Sequence, residues 1–518
     1  MKNIIIPFLL LAAMALAACG GATETPTAVP AKPTSVPEPT DEPSETAAAL
    51  PADLTTALDA FLQSQVYTEG GFPETAAPGL VLLVDTPDGR YLQAAGAANL
   101  DDGTPMQPDD RLEIGSNSKS FAIALLLQLQ EEGALSLDDP LSKWLPDQAA
   151  ILPNGDQMTL RQLAQHTAGI WDYGDAVIGA GTTDPDKLTQ AYTPEELVQF
   201  AIDNGAPDFA PGDEGMWKYS NTGYILLGMV LEAAAGETLA DLYQTRIFDP
   251  LGLESAALIE GVPQGEIDTR GYWWTADGER MDTTDWNASQ GWAAGALAMT
   301  AADLAKYGKA LAAGELFQNP DSLAEMLTFF PDAAPAPYGL GLMDFGNGYF
   351  GHEGQTAGFQ SLWFTNPDTG ITVVGLTNSA AYNAFSFLEL LPLFTGEPGT
   401  LQPGIWQWEQ FLSPAGETTF DDAEAIKILI GFFGGPESVA TGSEECGSIG
   451  GTHSIDGRGG ISFELDASAN TCDADAPVTQ LVQYLNDAAR YHFDNGRLFI
   501  ELPADAGTLV FKPSSFGE

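Results

Sequence analysis

The sequence predicts an α/β protein: one antiparallel sheet with helices and an α-rich lobe, followed by a small β-rich C-terminal domain. Three observations predict it. A strand–turn–strand pattern stands near the start of a long segment. Three more strands with short turns stand near its end. The stretch between is helical and loop-rich. Short turns make neighbouring strands antiparallel. Strands from both ends can then share a sheet only if the helical middle is inserted between them. A site in such a body belongs between sheet and lobe.

The chain opens with an address. Met1-Lys2-Asn3 is a short positive start, and Ile4 to Ala18 is almost continuously apolar. A spanning helix needs about 20 residues, so this shorter run reads as a signal-peptide core. It ends Leu16-Ala17-Ala18-Cys19-Gly20, and small residues before a cysteine resemble the bacterial lipobox. That resemblance implies cleavage before Cys19 and lipid attachment to its sulfur. The protein is therefore expected outside the cytoplasm, held to a membrane by lipid rather than by a spanning helix. Residues 20–50 are rich in Thr, Pro, Ala and Glu. Such a composition buries no core, and its prolines keep it extended as a semi-stiff tether.

From residue 51 to 397 the pattern is globular. Leu80-Val81-Leu82-Leu83-Val84 is a strand run, and Thr86-Pro87-Asp88-Gly89 is a turn in which Pro presets φ and Gly permits a positive φ. Arg90 to Gly96 reads as the returning strand. Apolar-periodic stretches at 117–132 and 222–236 predict two long helices. Tyr349 to Gly354, Phe359 to Thr365 and Ile371 to Thr377 are strands separated by short turns. The Gly- and Pro-rich stretch 396–404 punctuates the chain. After it, residues 402–518 hold Ile461 to Leu465, Leu498 to Leu502 and Thr508 to Lys512 as strand-like runs.

Composition excludes several function classes. With 72 acidic residues against 19 Lys and Arg, the formal charge is −53. No basic surface exists to displace counterions from phosphates, so a sequence-independent nucleic-acid partner is excluded. A polybasic patch for anionic lipid is equally disfavoured. Three cysteines are too few for a disulfide-stapled scaffold, and the four His show no metal-ligand spacing. Neither a metal nor another cofactor is expected.

Three stretches carry chemistry. In Ile114-Gly115-Ser116-Asn117-Ser118-Lys119, Ser116 and Lys119 are three apart and share one face of a first helical turn. A serine hydroxyl is a weak nucleophile until a base takes its proton. A lysine serves as that base when a dry site lowers its pKa. The helix N-terminus adds backbone N–H donors for a developing oxyanion. The competing reading of Ser116 is a plain N-cap. Lys218-Tyr219-Ser220-Asn221 precedes the second apolar helix. There the Tyr219 phenol can shuttle protons, and the Asn221 amide can hold a substrate carbonyl. Gly351-His352-Glu353-Gly354-Gln355 lies on a predicted strand, where Gly354 would admit a substrate backbone and the next N–H would donate to an oxyanion.

In this order the three stretches resemble the serine β-lactamase-related family, which includes class C β-lactamases, D-alanyl-D-alanine carboxypeptidases, D-aminopeptidases and esterases. Supporting stretches are Leu160 to Ile170, Pro211-Gly212, Tyr219 to Tyr224, Phe248 to Leu253 and Gly354 to Phe359. The resemblance implies a β-lactamase/transpeptidase-like fold from about 75 to 380. It makes Ser116 the acylated nucleophile, Lys119 and Tyr219 the acid–base pair, and Asn221, His352, Gly354 and Gln355 substrate-binding. It also implies an oxyanion hole from the N–H groups of Ser116 and Gln355, and His166 is kept as structural. β-Lactamases of the family carry Lys-Thr-Gly where this chain has His352-Glu353-Gly354, so a small ester or D-amino-acid peptide is the expected substrate ahead of a β-lactam, with the cell wall left open as its source. The alternatives are a non-catalytic cell-surface receptor for peptidoglycan fragments and a true β-lactamase.

The tail has its own resemblance. Gly404 to Glu409, Gly451 to Gly457, Asn470-Thr471-Cys472, Leu481 to Leu485 and Gly496 to Ile500 resemble a META (HslJ-like) domain. This implies a β-rich body without catalysis. Export permits oxidation, so a Cys446–Cys472 disulfide is expected. Trp406 and Trp408 are expected in the core.

Overall fold

Strand β1 (Gly79–Thr86) is buried on both faces along nearly its whole length, and that sets the layering of the body around it. The computed structural model describes residues 50–67, 75–181, 184–275, 278–397, 399, 401, 404–414, 416–419, 429–432, 439–443, 447–466, 476–494 and 497–514. The expected signal, the tether to residue 49, Cys19, and the Cys446–Cys472 pairing lie outside the described residues.

β1 turns through Pro87-Asp88 into β2 (Gly89–Asn99), with β3 (Thr104–Pro105) at the edge. On its other side β1 pairs antiparallel with the last strand of the segment, Leu80 opposite Thr377. The remaining strands are β9 (Met343–Gly346), β10 (Tyr349–Gln355), β11 (Gln360–Asn366) and β12 (Ile371–Thr377). The seven-stranded order is β3-β2-β1-β12-β11-β10-β9, so the sheet is closed from both ends as the sequence predicts.

Successive side chains on a strand point to opposite faces. Val81 and Leu83 join the larger core with Trp363, Val374 and the helical lobe. Leu80, Leu82 and Val84 join a second core with Leu58, Leu62 and Phe387. The helix α1 (Ala52–Ser64), which sequence periodicity does not single out, covers this second face. Helix α2 (Ser118–Glu131) is buried around almost its whole circumference, as expected of a helix apolar on every side. It packs against the helix Asn221–Ala235. A small sheet of β4 (Leu112–Glu113), β5 (Ala257–Leu258) and β8 (Leu297–Met299) flanks the start of α2, and β6 (Tyr272–Trp274) pairs with β7 (Arg280–Asp282) as a hairpin.

The C-terminal domain is β-rich with its own core, in which Trp406 and Trp408 are 5% and 3% exposed. Its central strand β13 (Gly404–Ser413) pairs with β14 (Gly416–Thr419), β15 (Leu429–Phe432) and the strand Thr508–Pro513. The end strands of the sheet, Ile461–Leu465 and Arg490–Asp494, approach through the Ile461 N–H to Ala489 carbonyl bond, so the sheet nearly closes into a barrel. The helix Pro477–Asn486 buries Val478, Leu481, Val482 and Leu485 on that core at helical spacing. Among the described residues no helix is long and apolar enough to cross a membrane.

Candidate active site

The nucleophile position is built by backbone locks. After β4 the chain makes a 3-10 turn, Gly115–Asn117, directly into α2. Ser118 Oγ donates to the Gly115 carbonyl at 2.7 Å, and Asn117 Nδ2 donates to the Ile114 carbonyl and to Ser361 Oγ on β11. Ser116 is left partly exposed at the mouth of the turn, facing a cavity of about 510 Å³. No side-chain capping bond is made at this helix start, so the N-cap reading of Ser116 is set aside.

Lys119, one turn on, is fully buried. Its Nζ lies 2.9 Å from Ser116 Oγ, 2.7 Å from Asn221 Oδ1 and 2.7 Å from the Ala294 carbonyl. Burial lowers its pKa to about 7, against the pull of the Asp172 and Glu353 carboxylates. An ammonium has three donors, and three partners surround it. A neutral amine has two. The Asn221 and Ala294 oxygens accept both, which turns the lone pair toward Ser116 Oγ.

Tyr219 lays its ring 4.8 Å from Lys119 Nζ. Its hydroxyl is adjacent to Ser116 but makes no hydrogen bond among the described residues. Burial, reinforced by the Glu353 charge, holds the phenol neutral, well above its ordinary pKa. The ring is seated on His166, centroids 4.4 Å apart. His166 is buried, kept neutral by desolvation, and accepts from the Ser220 N–H at 3.1 Å. That is the structural part expected of it.

Asp172 is the residue that sequence reasoning missed. One carboxylate oxygen accepts from the Asn221 backbone N–H at 2.9 Å and the other from Asn221 Nδ2 at 3.1 Å. It thus caps the helix Asn221–Ala235 from outside and fixes the amide so that Oδ1 faces Lys119. The only sequence signal was an acid two residues beyond the Leu160 to Ile170 stretch, and its partner is 49 residues away.

Strand β10 brings two corrections. His352 was expected at the substrate. It is instead wholly buried, with Nε2 2.9 Å from the Tyr338 hydroxyl and Nδ1 against the Glu353 carbonyl. Desolvation and the Lys119 charge push its pKa down to about 3, so it offers a ligand no charge. The alternation of the strand puts Glu353 on the cavity wall in its place. Gly354 was expected to admit a substrate backbone, yet a β-carbon there would lie 2.0 Å from the Ile114 carbonyl and 2.9 Å from Ser116 N. Its missing side chain makes room for the nucleophile turn. Gln355 lines the cavity with Ser116, Asp172, Tyr219, Asn221 and Glu353.

A family model described as Beta-lactamase matches residues 54–389. Penicillin-binding protein 4* of Bacillus subtilis is 32% identical over 175 residues, 34% of this chain, and the match spans 36% of that relative's length. The D-aminopeptidase of Cereibacter sphaeroides is 26% identical over 424 residues, 78% of each chain. A solved D-stereospecific amidohydrolase from Streptomyces sp. is similar at 30% identity and a TM-score of 0.57, covering 66% of this chain and 99% of that one. A family match over most of the folded body coincides with a sheet closed from both ends and a serine–lysine–tyrosine cluster at the start of its central helix, and the chain belongs to the beta-lactamase family.

Proposed function

We propose that this protein is a serine hydrolase that forms an acyl-enzyme on Ser116 from an ester or a D-amino-acid amide or peptide. The observation that carries the reading is the buried Lys119 amine 2.9 Å from Ser116 Oγ, with its other two partners both carbonyl oxygens. Neutral Lys119 takes the Ser116 proton as Oγ attacks the substrate carbonyl carbon. The oxyanion gathers against the N–H groups of Ser116 and Gln355. The Tyr219 phenol gives its proton to the departing alcohol or amine and recovers one from Lys119. A water then loses a proton to the same pair, attacks the acyl carbon, and Ser116 leaves reprotonated as the acid departs.

Support for the amide side comes from relatives named D-aminopeptidase and D-stereospecific amidohydrolase. A β-lactam is disfavoured, because Glu353 stands on the cavity wall and His352 is buried and neutral. The binding-protein reading has no use for a lysine desolvated beside a serine. The full-length protein should turn over p-nitrophenyl esters and take a fluorophosphonate label, and Ser116→Ala should lose both. An intact protein that does neither would overturn the reading.

Two further expectations belong here. We infer export with lipid attachment at Cys19, supported by the sequence around it. The check is incorporation of labelled palmitate that disappears in Cys19→Ala. The tail is read as META-like on the stretches quoted above, and none of its described residues lines the cavity.

A further inference from the structure

The cavity has a sign. Asp172, Asp175 and Glu353 all line it. The cations available to oppose them are committed. Lys119 is buried behind Ser116 with three partners, and Lys218 is ion-paired with Asp208. His352, at the position of a carboxylate-binding lysine, is buried and neutral.

The carboxylates differ in what they are free to do. Asp172 is engaged by Asn221 and by the Gly174 N–H, so it is a fixed charge in the wall. Asp175 is exposed at the rim. The Glu353 carboxylate is partly buried and makes no hydrogen bond or salt bridge among the described residues. Burial pushes its pKa up to about 7. A carboxylate desolvated without a partner is costly, and a charged donor placed against it recovers that cost. The apolar remainder of the wall, Ile178, Trp217 and Trp273, accommodates an uncharged side chain. The net charge of −53 favours the approach of cations at long range.

We propose that the acyl donor selected here carries a free primary ammonium received by Glu353, as an unblocked amino-acid amide, ester or peptide N-terminus does, and that donors bearing a carboxylate in its place are excluded. This deepens the acyl-enzyme reading and rests on it, because it assigns the substrate of that same cavity. The ammonium meets Glu353, its charge is balanced by the wall, and the side chain lies against the tryptophans.

The test separates binding from chemistry. The full-length Ser116→Ala protein is titrated by calorimetry with phenylalanine amide, N-acetyl-phenylalanine amide and N-succinyl-phenylalanine amide, each as D and L enantiomers. The free ammonium compound should bind at least about tenfold more tightly than its N-acetyl counterpart, as for a charge-assisted hydrogen bond. The N-succinyl compound should bind weakest. Glu353→Gln should remove the advantage of the ammonium, and Glu353→Lys should reverse the order in favour of N-succinyl. Equal or tighter binding of the N-acetyl compound to the protein with Glu353 intact would overturn the proposal, as would an ammonium preference that survives Glu353→Gln. None of these titrations needs turnover, so failure of the hydrolase reading appears separately, as absent esterase activity in the protein with Ser116 intact.

Discussion

A β-carbon added to Gly115 would lie 2.5 Å from the Gln355 amide nitrogen, so the turn before the nucleophile and the end of strand β10 touch backbone to backbone. Gly115 also holds φ at +53°, a region that costs a side chain about 1 kcal/mol. Both proposed oxyanion donors depend on this contact.

Gly115→Ala should therefore force the Gln355 N–H away from the Ser116 N–H. Loss of one such donor typically costs about 10²–10³ in turnover, and we expect kcat for p-nitrophenyl butyrate to fall by that order. Gly133 is the control. Its φ is +72° but nothing lies within 4 Å of an added β-carbon. Gly133→Ala should cost about 1 kcal/mol of stability and leave kcat unchanged. Equal kinetic effects from the two variants would refute the role of the contact.

Lys119 acts as a base only when neutral, and its pKa lies at about 7. For an uncharged ester, kcat/KM should climb about tenfold per pH unit below that value and level off above it. Glu353, raised to about 7, and Asp172, also raised by burial, titrate against Lys119, so the midpoint belongs to the set. Both carboxylates favour the ammonium. Removing one charge in Glu353→Gln should thus move the acid limb to lower pH. Tyr219 stays protonated beyond pH 10 and should contribute no alkaline fall below it. Lys119→Arg keeps the charge but cannot give up a proton, and should cost about 10²–10⁴ in rate. A pH profile of kcat/KM decides each of these points.

Glu113, on β4 three residues before the nucleophile, is 2% exposed, and burial pushes its pKa up to about 8, with the Thr356 hydroxyl alone opposing. An unfolded chain ionises this group from about pH 4.5. Between there and pH 8 the folded protein holds the proton that the unfolded chain has lost. Stability contributed by Glu113 therefore falls as pH rises through that window. Glu113→Gln keeps the shape without the titration. Its melting temperature should exceed that of the native protein by a few degrees at pH 8, and the two should converge near pH 4. Convergence at pH 8 instead would show that Glu113 is ionised and paired in the fold.

Local pattern was enough for some of this architecture. The alternation and turn chemistry around the two hairpin regions locate β1, β10, β11 and β12 within a residue or two, and β2 with its end three residues short. The apolar runs locate α2 and the helix Asn221–Ala235. Those signals are short-range, carried by backbone propensity and side-chain period. The Ser116–Lys119 pairing belongs with them, because three residues on one helical turn are neighbours whatever the rest of the chain does.

What the amino-acid order determined by itself is therefore the set of elements and the identity of the chemical groups, since both follow from interactions within a few residues. Folding alone decided which groups meet. Whether His352 or Glu353 enters the cavity depends on which face of β10 the core covers. Gly354 serves the nucleophile turn because residue 114 is folded against it, and Asp172 matters because a helix starting 49 residues later ends on its carboxylate. These contacts join segments far apart in the chain, where burial and packing set the geometry and no local pattern records it.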